Sequence, residues 1–85
     1  MVYLILTRTG YVDLRPRFDF AKDILWVNAG VLTDEECSRL RADGCNLTTF
    51  ANPLNTADLS SDVATIAEHH PNKTVWIEGK LNSED

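Results

Sequence analysis

The sequence predicts an α/β fold, an N-terminal β-hairpin followed by βαβαβ, with a small mixed sheet of about five strands and two helices. A segregated α+β arrangement is the alternative. Three observations carry this. Ile24-Leu25-Trp26-Val27 is an apolar run too short for a helix and long enough for a buried strand. Residues 33–43 carry start and stop signals for one helix. Residues 46–50 then read as a returning strand, which completes a βαβ unit with a parallel pair.

At the N-terminus, Val2 to Thr7 is apolar except at its end, as in a strand covered on both faces. Arg8-Thr9-Gly10 reads as a turn, with Gly10 taking a positive φ, and Tyr11 to Leu14 as the returning strand of a hairpin. Pro16 ends that strand because it cannot donate to a ladder. Phe18 to Asp23 shows no decisive period and reads as loop, with both phenylalanines filling core beneath the sheet.

The central helix is the most local signal. Thr33 with Glu36 three residues on is a capping box, and Leu32 with Cys37 has staple spacing. Asp34, Glu35 and Glu36 complement the positive end of the helix dipole, and Arg39 and Arg41 the negative end. Gly44 supplies the left-handed stop, which lets Cys45 meet Leu40 in a Schellman arrangement.

A second helix follows the Ala51-Asn52-Pro53 loop. Asn55 is a capping residue, with Ser60 or Ser61 as the competing start. Leu59, Val63, Ile66 and Ala67 form one apolar stripe that His70 continues, and Pro71 stops the helix. Thr74 to Glu78 alternates as a last strand, with Val75 and Ile77 on one face and Trp76 and Glu78 on the other. Residues 1–79 therefore make one α/β domain, and 80–85 a short polar tail expected to fray.

With 85 residues there is room for one modest core. A hydrophobic content of 44% and a charged content of 25% place the chain among soluble globular proteins. The net charge of −5 disfavours a nucleic-acid partner. Residues 1–23 nonetheless carry four basic side chains against three acids, and 24–85 four against ten. Arg8, Arg15 and Arg17 are thus candidate contacts for an acidic partner, or else a solvated turn region. No apolar run has the length of a signal or membrane span, so the expected location is the cytoplasm, with no membrane partner. Cys37 and Cys45 are eight residues apart, ~12 Å along a helix and beyond the ~7 Å that a disulfide tolerates. Both read as reduced core residues.

Ligands of parallel sheets bind beyond the carboxyl ends of the strands. Asn28, Gly30, Asn52 and Lys80 are the candidates there. Neither glycine-rich phosphate motif is present, and the acids opening the central helix occupy the place of a phosphate. Adjacent His69 and His70 diverge on a helix, so no metal site is expected. No nucleophile lies in a catalytic motif, so neither catalytic residues nor a cofactor are expected. Two functions from different classes remain. The first is a protein-interaction or self-associating module, a homodimer or a partner-binding domain, with Trp76 on a strand edge as anchor. The alternative is a small-ligand binder or minor enzyme using the strand-end crevice.

Overall fold

A computed structural model describes residues 1–78. The tail expected to fray, residues 80–85, and Gly79 lie outside the described residues. The elements in chain order are β1 (Val2–Ile5), α1 (Arg8–Leu14), a 3-10 turn (Arg15–Arg17), β2 (Ile24–Val27), α2 (Asp34–Ala42), β3 (Asn46–Thr49), α3 (Ser60–His69) and β4 (Val75–Ile77). The α/β class holds. The sheet, however, has four strands in the order β3-β2-β1-β4, and every pair is parallel.

The hairpin is the main correction. Residues 8–14 form α1, so the described residues hold three α-helices rather than two, and the sheet is not mixed. The burial pattern gives the reason. Tyr11 and Leu14 are buried while Val12 and Asp13 are exposed, which is the three-residue step of a helix face. A strand would have put Val12 and Leu14 on the same side. Thr7 caps this helix, accepting a hydrogen bond from the Gly10 amide at 3.1 Å. Gly10 therefore has no positive φ; among the glycines described, Gly30 and Gly44 do. Pro16 ends no strand. It sits in the 3-10 turn near its start, where an amide hydrogen is not needed.

The unit from β2 through α2 to β3 is as the sequence indicates. Both halves of the Thr33–Glu36 capping box are formed. At the other end Gly44 (φ 94°) donates to the Arg41 carbonyl and Cys45 to the Leu40 carbonyl, the two bonds of a Schellman motif. Thr33→Ala is expected to lower stability by ~1 kcal/mol, read as a drop in the thermal midpoint; an unchanged midpoint would mean that the cap contributes nothing.

The third helix starts at Ser60 rather than behind Asn55. The Asn55 side chain accepts from the Ala57 amide in a local turn, and Asp58 accepts from the Ser60 amide at 3.1 Å. Both residues are spent on turns before the helix begins.

Strand alternation divides the core between the two faces. Ile5, Leu25, Val27 and Leu47 meet Tyr11, Leu14, Cys37 and Leu40 of α1 and α2 on one side. Val2, Leu4, Ile24 and Trp26 meet Ile66 of α3 on the other. Cys37 and Cys45 are buried free thiols, and burial pushes the Cys45 thiol up. The chain runs outward from β1 to β3, then crosses back to β4 on the far side of β1. The order thus reverses between β1 and β4, the topological switch point of such sheets. No helix among the described residues is long and apolar enough to cross a membrane.

Candidate functional site

The carboxyl ends of β2 and β3 frame a concave site of about 270 Å³, lined in part by Asn28, Gly30, Leu32, Cys37, Thr49 and Phe50. That lies just under the ~300–1,000 Å³ usual for small-molecule sites. Gly30 (φ 83°) shapes the turn into it. The Asn28 side chain is largely committed to the fold. Its Oδ1 accepts from the amides of Ala29 (2.8 Å) and Leu54 (2.9 Å), and its Nδ2 donates to the Leu6 carbonyl (3.2 Å). One amide hydrogen is left for a ligand. Asn52 is exposed and does not line this site, and Lys80 lies outside the described residues. Asp34 also borders the site, which disfavours an anionic ligand.

At the switch point sits a residue the sequence did not single out. The Glu78 carboxylate accepts from the Leu6 amide (2.7 Å), the Thr7 amide (2.9 Å) and the Thr7 hydroxyl (2.6 Å). A carboxylate of the chain itself therefore fills the mouth between β1 and β4. The partners are 72 and 71 residues apart, so only the register of β1 with β4 brings them together.

The third place is the outer edge of β4, which has no strand beyond it among the described residues. Trp76 is 44% exposed and Ile77 37%. Trp76 meets Tyr3 edge-on at 5.7 Å, Tyr3 lies 5.9 Å from Phe18, and Phe18 lies 5.5 Å from Phe20. An aromatic row thus crosses from the edge of the sheet to the loop before β2. Arg15 stacks over Phe20 at 4.8 Å, and Arg17 is exposed in the same turn. Arg8 is placed differently. Its guanidinium binds both oxygens of Glu36 (2.7 and 2.8 Å) and the Val31 carbonyl (3.2 Å), and it lies over the Tyr11 ring. That fork, with the Thr33 amide, holds the Glu36 carboxyl at about 2.

His70 and Trp26 form a fourth cluster. The buried Trp26 indole donates to His70 Nε2 at 3.1 Å, and its ring also meets Phe50 and His69. Trp26 is core, as its place in the apolar run implies, and His70 is half-buried at the end of the α3 stripe. The described residues hold no group of three or more His, Cys, Asp or Glu placed to bind a metal.

Fold and sites together define a four-stranded parallel α/β domain whose aromatic edge strand is open among the described residues. No protein-family model, no curated protein and no solved structure matches the chain.

Proposed function

We propose that this domain is a protein-interaction module that self-associates through the open edge of β4. The observation that carries this is the placement of Trp76 and Ile77, exposed on opposite faces of one edge strand. A helix laid on the sheet would cover one of them. A strand added along the edge covers both and pairs the outward backbone groups of β4, which no described strand meets.

The sequence of the edge is self-complementary. Antiparallel pairing about a two-fold axis at Trp76 sets Trp76 opposite its own copy and Val75 opposite Ile77. Cross-strand aromatic and β-branched pairs of this kind stabilise by ~0.2–1 kcal/mol each. A three-residue strand offers far less than the ~1,200–2,000 Å² of a stable complex, so association is weak and depends on concentration. Arg15 lies at the far end of the aromatic row and Arg17 is exposed in the same turn, and both favour an approaching acidic surface. A cytoplasmic setting belongs to this reading and is supported by the two buried free thiols.

Native mass spectrometry at low and high concentration tests the proposal. A dimer fraction that rises with concentration is expected. Trp76→Ala is expected to remove it while the circular dichroism spectrum stays unchanged. Unfolding of that variant would assign Trp76 to the core instead, and a bare monomer at every concentration would end the self-association reading. A monomer carrying a small adduct would favour the crevice at Asn28 and Gly30.

A further inference from the structure

We infer that His70 is a proton-operated latch: neutral, it holds the end of α3 to β2 through Trp26, and protonated, it lets go. This does not rest on the self-association reading.

The geometry fixes the protonation state. An indole Nε1–H can only donate. Trp26 is buried to 5% exposure, and its donor is directed at His70 Nε2, 3.1 Å away. Nε2 must therefore be the unprotonated nitrogen, with the proton on Nδ1. Adding a proton makes Nε2 a donor as well. Two donors then face each other, and a buried indole N–H loses its partner.

The surroundings do nothing to soften this. From α3, His69 faces the ring at 6.4 Å, with its own Nδ1 turned to the Thr65 carbonyl at 2.9 Å. From the turn after α3, Lys73 acts on the ring. From β2 comes Trp26, whose own ring meets Phe50, and neither carries a charge. Burial first, then His69 and Lys73, hold the imidazole below its ordinary value of 6.5. On acidification the unfolded chain therefore binds its proton before the folded one. Stability is full above about pH 6.5 and falls as pH drops from there to the folded value.

The consequence is mechanical. His70 is the C-cap of α3, and α3 is the only described helix packed on the face that carries Val2, Leu4 and Trp26. Loss of the Trp26 bond frees the last turn of that helix and opens the apolar face beneath it.

The test uses Trp76→Phe, which leaves Trp26 as the sole tryptophan, excited at the red edge where the two tyrosines do not absorb. Titrated from pH 8 to pH 5 at low concentration, its emission is expected to shift to the red with a midpoint below 6.5. Adding His70→Gln, whose amide oxygen accepts the same bond without titrating, is expected to abolish the step, whereas His69→Gln retains it. A step of the same midpoint in the His70→Gln background, or a flat titration with His70 present, overturns the proposal. A second measurement needs no substitution: long-range proton–nitrogen NMR of the native chain at pH 7.5. It should show His70 Nε2 as the unprotonated nitrogen; the opposite tautomer overturns the latch.

Discussion

Ile66→Ala is expected to lower the unfolding free energy by ~2–5 kcal/mol, the range for removing a fully buried aliphatic side chain. A domain of 85 residues has roughly 4–13 kcal/mol in total, at about 0.05–0.15 kcal/mol per residue. The loss is thus a large share of all that holds the fold. Ile66 has no exposed surface, and it is the one buried residue of α3. Leu59 and Val63 of the same stripe are only partly buried around it. Nothing else on the helix reaches deep enough to fill the space, and the cavity term adds to the lost transfer energy. Ala67→Ser, on the same helix but exposed, serves as the control and is expected to shift stability by less than ~0.5 kcal/mol. Urea unfolding of both variants gives the comparison. Equal midpoints for the two would mean that α3 is not docked through Ile66.

How much of this could be read from the sequence depended on how local each signal was. The β2–α2–β3 unit was legible because its instructions lie within a few residues of where they act. Thr33 and Glu36 start α2, and Gly44 with Cys45 ends it. The stripe of α3 was legible in part for the same reason: Leu59, Val63, Ile66 and His70 turn toward the sheet, but Ala67, assigned to the stripe, is exposed. α1 was not legible. A seven-residue helix shows only Tyr11 and Leu14 as its buried face, too few to establish a period, and Arg8-Thr9-Gly10 has the composition of a turn. Thr7 outweighs that composition by capping the helix, and the parallel pairing of β1 with β2 requires a crossover between them.

The sites follow the same rule. Asn28 and Gly30 could be placed at the strand end because a strand-end turn is a local feature, but Asn28 is tied into the fold by contacts with Leu6 and Leu54. The bond between Trp26 and His70 spans 44 residues, and that between Glu78 and Leu6 spans 72. Neither spacing carries a pattern. The first depends on α3 docking over β2 and the second on β4 lying beside β1, both set by tertiary packing.

Gly10→Ala is expected to destabilise the domain, against the usual sign. Gly10 lies within α1 and has no positive φ, so alanine there should gain ~0.5–1 kcal/mol from backbone propensity alone. The opposing effect is steric. A Cβ at position 10 would run into the Glu78 carboxylate, which is the end of a flexible side chain and can move. Moving it breaks its bonds to the Leu6 amide, the Thr7 amide and the Thr7 hydroxyl. Leu6 is buried to 4% exposure, and leaving a buried amide unpaired costs ~1–3 kcal/mol. The loss should therefore exceed the gain. Glu78→Ala alone is expected to cost a similar amount, since it removes the same three bonds. Combined, the two substitutions should not add. Once Glu78 is truncated, the Cβ has nothing to displace and the propensity gain returns, so Gly10→Ala should become stabilising. A double-mutant cycle in urea measures this directly, and coupling of ~0.5–3 kcal/mol is typical of residues in contact. Additive effects, or a stabilising Gly10→Ala in the native background, would show that Glu78 does not hold the mouth between β1 and β4.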